Sequence, residues 1–372
     1  MQADRPRPIA VVFGTRPETI KLAPVVLELR EREVPHVVVT TGQHRELVDR
    51  ILSRFQIEVD ADLDLMRPEQ SLDYVLAGAL TGIGQALDRY APRAVLVQGD
   101  TTSAMAASLA AFHRHIPLGH VEAGLRSRNL ELPFPEELNR RVLSLIARWH
   151  FAPTVAAGEN LRAENVPGEI HVTGNTVVDA LQHILAQPAE LSYELDAFTS
   201  WKPLILATAH RRESWDGGIA EIAGALSAVL RAREDLRVVF VTHPNPLARG
   251  PVEEELGSND RALVLNALDY RTFVELLARA TLAVSDSGGV QEEGPTLGIP
   301  VLVTRDVTER PEGVAAGAVR IIGTDAASVR NEVLELLRNP KLHAEMSGAG
   351  RGLYGDGRAA SRIVDILLRE TG

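Results

Sequence analysis

Short apolar runs that end in a glycine-bearing or polar turn and lead into a helical pattern recur along the whole chain, and this rhythm restricts the fold more than any single residue does. The first run, Ile9–Phe13, ends in Gly14-Thr15-Arg16-Pro17-Glu18 and is followed by Ile20, Ala23, Val26 and Leu27 at helical spacing. His36–Thr40, Ala94–Val97, Leu118–Val121, Trp149–Ala152 and Ile170–Thr173 repeat the unit. After an interruption it resumes with Leu204–Thr208, Val238–Val241, Ala262–Leu265 and Pro300–Val303. Runs that are apolar on both faces, without hairpin signals, predict parallel sheets covered by helices on both sides. A chain of 372 residues exceeds what one core usually holds, roughly 250 to 300 residues, so two successive α/β domains are expected. The interruption, Ala186–Lys202, lacks periodicity and carries Pro188, and the hinge between the domains is expected there.

Polar residues gather at the carboxyl ends of the predicted strands, where open α/β sheets bind ligands. In the first half these are Arg16, Lys21, Gln43, His44, Asp100, Glu122 and Arg126. In the second half, Thr281–Leu302 reads as a buried strand, a Ser-Gly-Gly turn, a short helix and another strand. Gly288 and Gly289 remove side chains where the helix begins, so backbone N–H groups can approach an anion and Ser287 can add a hydroxyl. Glu292 and Glu293, one turn on, suit a ribose or sugar hydroxyl. An ordinary strand-to-helix turn, with glycine chosen for tight packing, accounts for the Gly-Gly pair equally well. Asp100 likewise reads either as a functional carboxylate or as the N-cap of the following helix, and Glu136 as functional or as a first-turn acid.

Composition narrows the partners. A formal charge of -11 disfavours nucleic acid or an anionic membrane as the main partner. Cysteine is absent, which excludes disulfides, thiolate zinc sites and cysteine nucleophiles and suits a reducing cytosol. The N-terminal apolar run is too short for a signal peptide and no later span has membrane length, so a cytoplasmic protein is expected. Only 3 of the 39 basic residues are lysines, and one of them, Lys21, follows the first glycine turn. His120 and Glu122 could share a face as half a metal site, but no third ligand is suitably spaced, so no metal is expected. His113, His115 and His171 read as structural or solvated.

The segments GTRPE, TGQHRE, QGDTTS, HVEAGLRS, PFPEELNR, TGNTVVDAL, HRRES, SDSGGVQEE and TERPE, in this order, resemble those of the non-hydrolysing UDP-N-acetylglucosamine 2-epimerases over most of the chain. The resemblance implies a GT-B fold, with two Rossmann-like domains whose parallel sheets face a central cleft. It implies an N-terminal domain over residues 1–174 with 358–372 returning to it, which bears the sugar and the chemistry, and a UDP-binding domain over 175–357. Carried over residue by residue, it assigns Ser287, Gly288 and Gly289 to the diphosphate, with Arg16, His210 and Lys21 as further phosphate partners, and Glu293 to the ribose. Arg310 matches a position important for activity. Tyr270 or Phe273 would stack on uracil, although helix packing explains both.

For the chemistry, the resemblance assigns Asp100, Glu122 and Glu136 as acid–base carboxylates, with His210 beside them. The implied reaction is reversible epimerisation at C2 through elimination of UDP to 2-acetamidoglucal and re-addition, without a cofactor, supplying N-acetylmannosamine units for cell-surface polysaccharide. The implied partners are UDP-N-acetylglucosamine and UDP-N-acetylmannosamine, and the implied assembly is a homodimer. A glycosyltransferase of the same fold, a hydrolysing epimerase and a nucleotide-sugar sensor remain alternatives. Gln43, Gln70, Arg211 and His243 stand where bacterial relatives bind a second, activating UDP-N-acetylglucosamine. Glu46 and Glu69 place extra negative charge there, which opposes it. Ala209 and Gly294 depart from the common Gly and Ala without touching the chemistry.

Overall fold

The structure is a computed structural model that describes residues 6–42, 45–67, 70–188, 191–209 and 216–371, the side chains of 45–47 excepted. The chain divides into two compact units, one of Met1–His183 with Gly355–Gly372 and the other of Ile184–Tyr354.

The first unit is built on a seven-stranded sheet in the order β3-β2-β1-β4-β5-β6-β7. Its strands are β1 (Ile9–Phe13), β2 (His36–Thr40), β3 (Ala61–Asp62), β4 (Ala94–Gln98), β5 (Leu118–Val121), β6 (Trp149–Ala152) and β7 (Glu169–Val172). Every pairing is parallel. β1 and β4 are buried along their whole length, so both faces need helices. α1 (Arg16–Glu31), α3 (Leu72–Tyr90), α4 (Thr102–Phe112) and α5 (Glu136–Ile146) supply them, together with α2 (Arg45–Phe55), α6 (Val155–Ala163) and α7 (Thr176–Leu185). The small side chains Ala104, Ala107 and Ala111 let α4 lie close to Ala10, Val12, Val95 and Val97 in one core. The strand order reverses between β1 and β4, the switch point at which such sheets open a crevice at their carboxyl ends.

The last helix, α16 (Ala359–Thr371), belongs to the first unit. Its opening N–H groups at Ala359 and Ala360 donate to Asp179 of α7 at 3.3 and 2.9 Å. Arg32, following α1, donates to Ser361 at 2.6 Å and pairs with Asp365. These contacts tie α16 to α7 and to the end of α1 within the first unit.

The second unit has a six-stranded parallel sheet in the order β10-β9-β8-β11-β12-β13. Its strands are β8 (Leu204–Ala209), β9 (Arg237–Thr242), β10 (Ala262–Leu265), β11 (Leu282–Ser285), β12 (Val301–Val303) and β13 (Val319–Ile321). Strand periodicity sorts the side chains: Ile205 and Ala207 pack with Ile222 and Leu226 of α9 (Gly218–Ala232), while Leu204 and Leu206 pack with Leu276 and Leu277 of α11 (Tyr270–Arg279). Each fully buried leucine contributes about 1.5–3 kcal/mol by leaving water, and Leu226→Ala would cost about 2–5 kcal/mol with the cavity included. The expected hinge stretch Ala186–Lys202 is not irregular throughout. It contains α8 (Tyr193–Thr199), capped by Ser192, whose Phe198 packs on the core of the second unit. The remaining helices are α10 (Pro246–Leu256), α12 (Val290–Thr296), α13 (Pro311–Ala316), α14 (Ala326–Arg338) and α15 (Pro340–Ala349). Among the described residues no helix is long and apolar enough to cross a membrane.

Candidate active site

Three turns at the carboxyl edge of the first sheet carry the side chains singled out in the sequence. After β1 the chain passes so close to Ser103 that a Cβ on Gly14 would lie 2.5 Å from the Ser103 hydroxyl oxygen. Arg16 follows as the first residue of α1. Glu18 closes the turn as the acid of a capping box, accepting from the N–H groups of Gly14 and Thr15 at 3.0 and 2.8 Å. It also accepts from the Thr101 hydroxyl at 2.6 Å, which joins the β1 turn to the β4 turn. Burial pushes the Glu18 carboxyl up despite these donors.

Asp100 follows β4 and is not the helix cap. Thr101 takes that role, accepting from the Ala104 N–H at 3.0 Å, and leaves the Asp100 side chain to Arg140. Arg140 Nε donates to Asp100 Oδ2 at 3.1 Å, Nη2 meets the same oxygen, and Nη1 donates to Glu137 Oε2 at 2.8 Å. Asn139 Nδ2 donates to the Asp100 carbonyl at 2.9 Å. Burial works against the ionised form of Glu137, but the Ser127 N–H and the Arg140 charge outweigh it and hold its carboxyl below the usual range.

Glu122 follows β5 with a left-handed φ of 62° and forms a buried ion pair with Lys21 of α1. His120, two residues earlier, points elsewhere and donates from Nε2 to the Gly99 carbonyl at 2.7 Å. Burial, with help from the neighbouring His150, pushes the His120 imidazole down to about 3. Among the described residues no group of three His, Asp or Glu side chains converges to hold a metal ion. Glu136 opens α5 and is half-buried, at a helix end where negative charge is favoured.

In the second unit, β11 runs into the buried Asp286 and then Ser287-Gly288-Gly289, with Gly289 as the N-cap of α12. Three successive α12 side chains reach three different neighbours. Gln291 accepts from the Thr308 hydroxyl, Glu292 accepts from Arg310 Nε at 2.6 Å, and Glu293 accepts from the Tyr270 hydroxyl at 3.1 Å. The Arg310 guanidinium lies against Gly288, where a Cβ would sit 2.9 Å from Nη1. Tyr270 is buried and holds Glu293, and Phe273 packs against the core.

Gln70 accepts from the Arg67 N–H at 3.3 Å in the first unit, and His243 is exposed after β9 in the second. His210, Gln43, Arg211, Glu69 and the side chain of Glu46 lie outside the described residues. Sequence reasoning passed over Arg140, Asn139 and Glu18. Glu18 had a readable signal, the Thr-x-x-Glu capping box, and the two α5 residues close the PFPEELNR segment, of which only Glu136 was singled out.

Acidic side chains at the strand ends of one parallel α/β sheet and a Ser-Gly-Gly turn opening a helix at the edge of another are the features of a two-domain fold of the GT-B type. The UDP-N-acetylglucosamine 2-epimerase profile matches residues 27–368. The Salmonella typhimurium UDP-N-acetylglucosamine 2-epimerase is 44% identical over 370 residues, covering 96% of this chain and 98% of the relative. Among solved structures, the Neisseria meningitidis UDP-GlcNAc 2-epimerase bound to UDP-GlcNAc is 41% identical, with a TM-score of 0.89, covering 97% of this chain and 99% of that one. The S. aureus MnaA–UDP co-structure is 39% identical, with a TM-score of 0.90, covering 98% and 97%. The chain belongs to the UDP-N-acetylglucosamine 2-epimerase family.

Proposed function

We propose that the chain interconverts UDP-N-acetylglucosamine and UDP-N-acetylmannosamine by elimination and re-addition of UDP, without releasing the free sugar. The observation that carries this reading is that Asp100 and Glu122 follow adjacent strands, β4 and β5, and each stands beside a cation, Arg140 (shared with Glu137) and Lys21. Such a pair suits proton transfer on a carbon better than it suits the binding of an acceptor sugar.

The C2 hydrogen has no neighbouring carbonyl, so simple deprotonation is too slow. When the C1–O bond to UDP breaks as the proton leaves, positive charge on the ring makes C2–H acidic, and 2-acetamidoglucal and UDP result. Protonation at C2 from the other face, with UDP returning to C1, gives the second epimer. Asp100, Glu122 and Glu136 serve the proton steps in this reading. Ser287, Gly288, Gly289, Arg16 and Arg310 stabilise the departing diphosphate, as His210 does by its place in the motif, and Glu293 takes the ribose. The close fit of Arg310 to Gly288 supports its share.

The reading extends to a cytoplasmic homodimer, the compartment following from a nucleotide-sugar substrate. Leu138, Val142 and Leu145 lie on one side of α5, with Leu138 and Leu145 exposed and Phe112 exposed at the end of the adjoining α4, an apolar surface suited to a second copy. Incubation with UDP-N-acetylglucosamine followed by product analysis tests the function. The epimeric UDP-sugar is expected. Free N-acetylmannosamine with stoichiometric UDP would indicate a hydrolysing enzyme, and an unchanged substrate would overturn the reading.

A further inference from the structure

We propose that Lys21 is a positioning residue for the proton-transfer step, holding Glu122 in its carboxylate form, and is not a ligand of the diphosphate. The proposal rests on the epimerase reading and adds to it the residue that sets the protonation of one reacting group.

Lys21 is 6% exposed and Glu122 8% exposed, and they meet across the gap between α1 and the end of β5. An ammonium taken this far from water is costly unless a counter-charge stands beside it. Among the described residues, several cations at this edge stand beside acids. Arg140 serves Asp100 and Glu137, Arg126 holds Glu164 at 2.8 Å, and Lys21 meets Glu122. The buried His120 donates to the Gly99 carbonyl and adds no positive charge near neutral pH.

The Glu122 backbone is left-handed, a conformation that costs a non-glycine residue on the order of 1–2 kcal/mol, and it directs this side chain back toward α1. An ammonium neutralised by a carboxylate presents only a dipole to a diphosphate, so its attraction for the leaving group is small. Its attraction for the Glu122 carboxylate is large, and it favours the ionised form. In that form Glu122 accepts the C2 proton of one epimer. The C2–H electron pair becomes the C1=C2 bond, the C1–O pair leaves with UDP, and the proton stays on Glu122. Lys21 remains protonated throughout.

The test compares the wild type with Lys21→Met and Lys21→Arg. Without the Lys21 charge the ionised form of Glu122 loses that attraction and is reached only at higher pH. The acid limb of the kcat/KM profile of Lys21→Met should therefore move up by at least about one pH unit, with UDP affinity by calorimetry within about threefold of wild type. Lys21→Arg should restore the wild-type limb. An unmoved limb together with a tenfold or greater loss of UDP affinity would make Lys21 a diphosphate ligand and overturn the proposal. If Lys21→Met does not fold, Lys21→Arg decides alone: a limb displaced by a unit, or a tenfold loss of UDP affinity, counts against it. Absence of epimerase activity in the wild type would overturn the functional reading instead, so the two failures are distinguishable.

Discussion

Arg140 reaches two carboxylates at once, donating from Nε to Asp100 at 3.1 Å and from Nη1 to Glu137 at 2.8 Å. A planar guanidinium can span both oxygens, whereas a lysine ammonium cannot. Arg140→Lys should keep the fold but lower turnover at least about tenfold, and Asp100→Asn should lower it at least about a hundredfold with UDP affinity retained. Steady-state kinetics beside calorimetry checks both. Near-normal turnover in Asp100→Asn would remove Asp100 from the chemistry.

The two cradle glycines should behave differently. A Cβ on Gly289 would meet nothing nearer than 3.8 Å, so Gly289→Val should keep the wild-type Tm and lose UDP affinity at least about tenfold, the side chain filling the anion's approach. A Cβ on Gly288 would press on Arg310 at 2.9 Å and displace that side chain as well. Wild-type UDP affinity in Gly289→Val would sink the cradle assignment.

Tyr270→Phe separates two roles for one ring. The hydroxyl donates to Glu293 at 3.1 Å, and its loss leaves a buried carboxylate with one donor fewer, a penalty of roughly 1–2 kcal/mol. UDP binding should weaken roughly five- to thirtyfold by the same principle. Unchanged affinity would mean that the ring, and not the hydroxyl, is what matters to the nucleotide.

The His120 imidazole is held at about 3 by burial, against an ordinary 6.5 in the unfolded chain. The neutral form is kept in the fold, so its contribution to stability is intact above about pH 6.5 and is lost progressively as pH falls toward 3, at up to about 1.4 kcal/mol per unit. His150, also pushed down by burial, acts in the same direction. Thermal melts between pH 7 and 5 should show a shallower decline for His120→Gln than for the wild type. Equal slopes would contradict the assignment.

Much of this molecule was legible because its strands announce themselves by unbroken apolar runs and its turns by glycine. β3 escaped notice because two residues are too few to show a period, and β13 because Arg320 interrupts its apolar run. α8 was hidden by its brevity and the flanking prolines, although Ser192 is an ordinary N-cap. Within the site, Asp100, Glu122 and the cradle could be named from strand-end position and motif. Their partners could not, since Arg140 follows Asp100 by 40 residues and Lys21 precedes Glu122 by 101. Which cation meets which acid is settled by how α1 and α5 dock on the sheet. The reading of Asp100 as a cap failed for a local reason, because Thr101, one residue on, accepts from Ala104.

The central claim is that the C2–H bond breaks and re-forms on the enzyme. Its most direct measurement is the conversion of UDP-N-acetylglucosamine in deuterated buffer, with recovery of both UDP-sugars and analysis of C2. The account predicts UDP-N-acetylmannosamine with deuterium at C2, since the proton held by a carboxylate exchanges before re-addition, accompanied by slow leakage of UDP and 2-acetamidoglucal. Epimerised UDP-sugar carrying only protium at C2, or transfer of the sugar with C2 untouched, would contradict it.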